Sequence, residues 1–262
     1  MKKYKLLLSC LIAVFFTACI QIEEEVEIKE DGSGKMAVRT DMGQLFEMLK
    51  GFASPEDLQK DGLEKAMDTT ILMKDIVDTV QELSAENKAL LRNGKMQIQM
   101  NMKENLFKMK MDYPFNSLAD ANKLYKAMNE MGMMGNSLKN LGGAQQPGPD
   151  QPGIIPGGGS GTGIEKISSM YDIKFSNGEY SRILNQARFD SLSNDPKLQE
   201  SKGMLGMMGD MNMNLTVKLP RKVKSVSNSN AVISADKKTV TLKGDMIAAL
   251  DSPKSMEIII RY

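Results

Sequence analysis

Between Lys95 and Tyr113, apolar and polar residues alternate one by one, first through Met96, Ile98, Met100 and Met102 and then through Phe107, Met109, Met111 and Tyr113. A period of two belongs to a strand with one face buried and one face wet. A turn at Glu104-Asn105 sets Met102 opposite Phe107, Met100 opposite Met109 and Ile98 opposite Met111, with Gln97, Gln99, Asn101, Lys108 and Lys110 on the other face. Such a hairpin cannot bury its apolar face alone, so a second layer has to cover it. The pattern recurs further upstream, where Ile20, Ile22, Val26 and Ile28 alternate with Gln21, Glu23, Glu25 and Glu27, and resumes at Met36 and Val38 after Asp31-Gly32-Ser33-Gly34. This predicts a hairpin with Ile28 opposite Met36 and Val26 opposite Val38 on one face, and Glu25 opposite Arg39 on the other.

Helical spacing appears between the strands. Leu45, Met48, Leu49 and Phe52 follow Asp41 as a cap, and Ser54-Pro55 opens a second helix with cap and proline at the favoured places. Residues 69–82 fit strand and helix equally, and Ser84 to Leu91 is a short helix stopped by Asn93-Gly94. Ser117, with Asp120 three residues on, caps a helix whose stripe is Leu118, Ala121, Tyr125 and Met128. Nine Gly and four Pro between Gly142 and Gly163 make a linker or surface loop. Beyond it, Asn177-Gly178 joins two strands, Asp195-Pro196 opens a helix through Leu205, and strands follow at Leu215–Leu219, Ala231–Ser234, Thr239–Lys243 and Met256–Tyr262. A turn at Asp236-Lys237 pairs Ile233 with Val240 and Ala231 with Leu242. The expected fold is α+β: a mainly antiparallel sheet built from hairpins, with helices on one face. Residues 19–141 and 164–262 form the two halves of one domain, and 142–163 the loop between them.

The first 18 residues read as an address. Lys2, Lys3 and Lys5 precede an apolar run of 13 residues, Leu6 to Ala18, which has the length of a signal-peptide core and is too short to span a bilayer. Phe16-Thr17-Ala18-Cys19 resembles the bacterial lipobox, with Phe16 where Leu is usual, and makes Cys19 the expected lipidation site. Two acyl chains and an amide-linked third would anchor the chain to a membrane stably, where one chain binds only marginally. Cleavage there leaves no second cysteine, hence neither a disulfide nor a thiol catalyst. Ile20 stands where an Asp would resemble a retention signal, which points to the outer membrane of a bacterial envelope. Glu23-Glu24-Glu25 resembles an acidic surface-export tag.

Composition narrows the chemistry. With no His, Ser-His-Asp hydrolysis, Cys-His chemistry and His-built metal sites are impossible. The 34 basic and 33 acidic residues, no Trp and few aromatics leave nothing to hold a nucleic acid. Asp210, Asn212 and Asn214 imitate half a calcium loop, but Leu215 stands where Gly is needed and Arg221 where the closing Glu belongs. Ser234-Ala235-Asp236-Lys237 fits Ser-x-x-Lys but falls on a strand and turn, without the helix that chemistry needs. No cofactor and no enzymatic activity are expected.

The unusual residue is methionine, 23 in all, with nine in 96–134 and five in 204–213. Unbranched thioethers fill irregular cores, line adaptable surfaces for a lipid or partner, or bind soft Cu(I). The Cu(I) reading assigns Met204, Met207, Met208, Met211 and Met213 as ligands of a Met-rich periplasmic copper protein. Arg221, Lys222, Lys224, Lys237, Lys238 and Lys243 form a basic set, read as a solvated strand face or as a surface for anionic lipid.

The lipidated first strand, the Asp31-Gly32-Ser33-Gly34 hairpin and the closing Val217-Lys218-Leu219-Pro220 and Val240-Thr241-Leu242 segments resemble the LppM-like bacterial lipoproteins. The resemblance implies an envelope α+β domain with an apolar cavity suited to lipid. Together these features predict a membrane-anchored, non-enzymatic binding or assembly module for a lipid, another hydrophobic ligand or an envelope protein.

Overall fold

The computed structural model describes residues 20–44, 50, 66–78, 83–130, 167, 169–196, 198, 202 and 210–262. Among the described residues, twelve strands lie in two sheets. They are β1 (Ile20–Ile28), β2 (Gly34–Asp41), β3 (Met67–Leu72), β4 (Lys95–Asn101), β5 (Leu106–Phe115), β6 (Tyr171–Ser176), β7 (Glu179–Leu184), β8 (Met211–Lys218), β9 (Ser225–Val226), β10 (Val232–Ile233), β11 (Thr239–Asp245) and β12 (Ile258–Arg261). The helices are α1 (Met73–Val77), α2 (Ala85–Leu91), α3 (Leu118–Glu130), α4 (Gln186–Ser193) and α5 (Met246–Asp251). The eight-stranded sheet runs β10-β11-β8-β1-β2-β5-β4-β3 and the four-stranded sheet β6-β7-β12-β9. The α+β architecture with mainly antiparallel strands is therefore observed, and β1 against β8 is a parallel pair within it.

Both long hairpins form, each two residues out of the expected register. Val26 lies opposite Met36 and Ile28 opposite Gly34, while Glu23 rather than Glu25 faces Arg39. The loop closes early because the Ser33 N–H donates to Asp31 Oδ1 at 3.0 Å, the Lys29 N–H donates to the Ser33 carbonyl at 2.8 Å, and Gly32 takes a left-handed φ of 81°. In the second hairpin Met100, Ile98 and Met96 face Phe107, Met109 and Met111. The expected two-residue turn is replaced by a 3-10 turn at Met102–Glu104. It is capped where the Lys103 N–H donates to Asn101 Oδ1, and it leaves through Asn105 at φ 50°. Met102 thus drops out of the strand into the core. A slip of two keeps every side chain on its face, so the buried pattern survives both corrections.

Shorter signals translated directly. Phe175 faces Tyr180 across Asn177-Gly178, with Gly178 at φ 87°, and Ile233 faces Val240. The ambiguous 69–82 segment resolves into both of its readings, β3 and then α1, over the described part. Ser84 and Ser117 cap α2 and α3 by accepting the N–H groups of Asn87 and Asp120. The buried stripe of α3 is Ala121, Leu124 and Ala127, with Leu118, Tyr125 and Met128 on its flanks. Helix α4 has no counterpart in the sequence expectation, although Asn185 caps it by accepting the Arg188 N–H. The helix expected after Ser54-Pro55 and the Gly/Pro-rich segment lie outside the described residues, as does most of the helix expected at 45–52.

Registers align the inner face of the large sheet into rows. One row reads Leu242, Leu215, Glu24, Val38, Met111, Met96, Ile71, so a carboxylate stands in the middle of an apolar line. The small sheet and α3 cover this face. Phe115 and Phe175 meet across the layers with ring centroids 6.0 Å apart. Asn122 of α3 donates to the Phe175 carbonyl and accepts the Phe175 N–H, each at 2.9 Å, which satisfies the free edge of β6 as another strand would. Gly34 sits where a Cβ would lie 1.9 Å from the Glu27 carbonyl oxygen and 2.5 Å from the Phe115 ring. Gly34→Ala should therefore cost about 1–3 kcal/mol in urea unfolding through overpacking. A change smaller than the error of the titration would refute the tight contact.

Candidate functional site

The polar centre of the molecule is a buried ion pair between the two sheets. Glu24 has the same parity on β1 as Ile22 and Val26 and so points inward. Arg182 faces it from β7, where Tyr180 and Arg182 share the inner face. Arg182 Nη1 donates to Glu24 Oε2 at 2.5 Å, with the arginine only 1% exposed. Its Nη2 lies 3.8 Å from Met213 Sδ, and its guanidinium carbon sits 4.6 Å above the Tyr171 ring centroid. Burial works against the arginine's charge, but the Glu24 carboxylate together with Tyr125, Tyr180 and Tyr171 outweighs it, so the net shift of the pKa is upward. Burial also pushes Tyr180 and Tyr125 upward and Tyr171 up to about 12, so all three rings stay neutral. The Tyr180 hydroxyl and Arg182 Nε are buried without a hydrogen-bond partner among the described residues. The arrangement locks both charges against each other and does not present either to a substrate.

Next to the pair, Glu24, Val38, Tyr125, Met128, Phe175 and Tyr180 line a cavity of about 20 Å³. Drug-sized ligand pockets run to about 300–1,000 Å³, so this space does not take a lipid chain. Methionine fills the space instead: Met36, Met73, Met96, Met102, Met109, Met111, Met170, Met211, Met213, Met246 and Met256 are all buried. Met211 and Met213, two of the five expected copper ligands, lie on the inner face of β8 opposite Ile20 and Ile22. Met204, Met207 and Met208 lie outside the described residues. Among the described residues no group of three or more His, Cys, Asp or Glu side chains could hold a metal ion.

The outer face of the large sheet is polar and holds a groove of about 390 Å³, lined by Gln21, Glu23, Arg39, Asp41, Asp68, Gln97, Gln99, Lys108 and Lys110. Along its rim the Glu25 carboxylate meets Lys218 at 3.1 Å, Arg39 at 3.5 Å and Lys35 at 3.7 Å. Partial burial raises the pKa of Glu25, and the Lys218 hydrogen bond with the three nearby cations outweighs it, so the net shift is downward. Gln99 donates to Asp68 at 3.2 Å, and Lys108 lies 3.6 Å from Asp41. Mixed donors and acceptors of this kind suit a polar surface or an extended polar chain. Asn212 and Asn214 belong to this face, opposite Gln21 and Glu23 on a regular strand. Ser234 spends its hydroxyl on Asp236 within the turn between β10 and β11.

The basic set is not a strand face. Arg221, Lys222 and Lys224 lie in the loop after β8, Lys237 and Lys238 in the turn between β10 and β11, and Lys243 within β11. Glu24 belongs to the core, on a strand that has already begun at Ile20. Sequence pattern alone marked neither Glu24 nor Arg182 as partners, although Glu24 on an otherwise apolar parity was a visible signal.

Removing one member of a buried pair leaves an uncompensated charge, whereas an apolar replacement of both does not. Glu24→Gln and Arg182→Met should each cost about 3–5 kcal/mol, and the double variant Glu24→Leu/Arg182→Met should recover most of that loss. Chemical unfolding of the four proteins measures it, and additive losses would sink the assignment.

No family model and no curated protein matches the sequence. Among solved structures, the chain is similar to the folded domain of Mycobacterium tuberculosis LppM, determined by NMR, with 9% identity, coverage of 95% of this chain and 94% of that one, and a TM-score of 0.35. That likeness is too loose to assign a residue or an activity.

Proposed function

We propose that this protein is a lipid-anchored lipoprotein of the bacterial outer membrane that acts as a non-enzymatic binding or assembly module. The observation that carries the reading is the position of Ile20. It is the residue after Cys19, it is buried, and it opens a strand hydrogen-bonded on both sides, by β8 and by β2. Acyl chains on Cys19 would therefore be joined to a rigid sheet with no flexible tether, and the sheet would move with the membrane.

A module mounted in this way works through the surfaces it holds out. Most of the described methionines serve the core, which favours the polar outer face over an interior lipid pocket as the place where a partner binds. The partner is an envelope component able to hydrogen-bond along Glu23, Gln97 and Gln99, side chains that line the groove and are exposed. Cys19→Ser should shift the protein from the membrane fraction to the soluble fraction without changing its unfolding midpoint. A Cys19 peptide that carries no acyl mass in the wild-type protein would sink the anchor. Photo-crosslinking from Gln97 in intact membranes should yield one discrete adduct, and none from a control position at Lys254.

A further inference from the structure

The end of the large sheet farther from Ile20 carries a cluster of cations. At the end where β1 begins, Ile20 pairs with Met211, and Asp210, Asp245 and Asp251 lie on the neighbouring segments. At the other end, Glu27 pairs with Lys218 and Lys218 with Thr239. Two basic loops leave from there. The Leu219 N–H donates to the Lys238 carbonyl and the Val223 N–H to the Lys237 carbonyl, both at 2.8 Å, which ties the loops into one corner. Arg221, Lys222, Lys224, Lys237 and Lys238 are exposed on it around the single carboxylate of the turn, Asp236, and none forms a salt bridge to an Asp or Glu side chain among the described residues. Arg221 is held by Asn177 Oδ1 at 2.9 Å and by the Tyr262 ring, and Lys224 donates to the Tyr262 carbonyl. Beside these charges, the short edge strand β10 exposes Val232 by 67% and Ile233 by 42%, two of the four large apolar residues exposed in the described structure.

The nine residues of β1 separate this corner from the anchor by about 27 Å. Charges are screened over about 8 Å at physiological salt, so with the strands rising from the bilayer the corner does not feel the anchored leaflet. Basic side chains next to exposed apolar ones are what an anionic bilayer surface selects, since charge draws the domain in and the apolar groups enter the interface. A soluble polyanion would use the charges and leave Val232 idle. From this placement we infer that the Arg221–Lys238 corner docks on a second, anionic lipid surface, so that the protein tethers two bilayers. The inference rests on the Cys19 anchor and names the partner of the far end.

The test uses the full acylated protein, inserted in neutral phosphatidylcholine vesicles and mixed with labelled vesicles containing phosphatidylglycerol. Energy transfer between the two populations reports tethering, and flotation of the protein with the first population reports the anchor separately. Tethering should occur with phosphatidylglycerol, be absent with phosphatidylcholine alone, and weaken as salt rises. Each of Lys222→Gln, Lys237→Gln and Lys238→Gln should lower the affinity about fivefold, and the triple variant about a hundredfold. Val232→Ser should lower it further without changing the salt dependence. Protein that floats with the first vesicles but does not join the second overturns the inference and leaves the anchor intact. Protein that fails to float overturns the anchor. Tethering untouched by the three lysines, or equal affinity for inorganic polyphosphate with no effect of Val232→Ser, also overturns the assignment to lipid.

Discussion

The Glu24–Arg182 pair is the constraint around which the two sheets are arranged. A carboxylate in the central strand of an apolar sheet face is costly to bury, and its cost is offset only if a cation reaches it from the covering layer. That requirement sets where β7 can lie over β1. The Tyr171 ring beneath the guanidinium and Met213 beside it complete the surroundings with groups that tolerate a cation. Shifting β7 along the sheet would separate the charges and leave each unpaired in an apolar layer. The pair therefore acts more through the uniqueness of the packing than through net stability.

Around this centre, methionine takes the place that aromatic and branched residues usually hold. In the row that holds Val38, Met111 and Met96 present long flexible side chains on the buried face of the large sheet. Flexible thioethers fill the irregular gap between two twisted sheets, where rigid residues would need closer matching of shapes. Rigidity has to come from elsewhere, and the polar contacts supply it: Asn122 grips the backbone of Phe175, and the Tyr171 hydroxyl donates to the Pro253 carbonyl at 2.6 Å.

What could be read in the chain depended on how local the signal was. Asn177-Gly178 and Asp236-Lys237 gave correct pairings, because a short turn leaves the flanking residues few alternatives. Longer loops gave the right faces and a register displaced by two, because Met102 and Gly32 to Gly34 take conformations that alternation does not encode. The candidate site was less legible. Glu24 interrupts the series Ile20, Ile22, Val26 and Ile28 on its own parity, a mark visible without a structure, but its partner lies 158 residues away. Nothing local distinguishes Arg182 from the other arginines of the chain.

The sequence by itself determined the strands of the main hairpins and which side of each is apolar. Both follow from a period of two, a property of neighbouring residues. Only the tertiary structure decided that β8 runs parallel against β1, that a second sheet closes the apolar face, and that the basic loops gather at the end away from Ile20. Those outcomes come from contacts between segments far apart in the chain. Such contacts are selected by the total burial and charge pairing of the assembled layers, to which no single stretch of sequence has access.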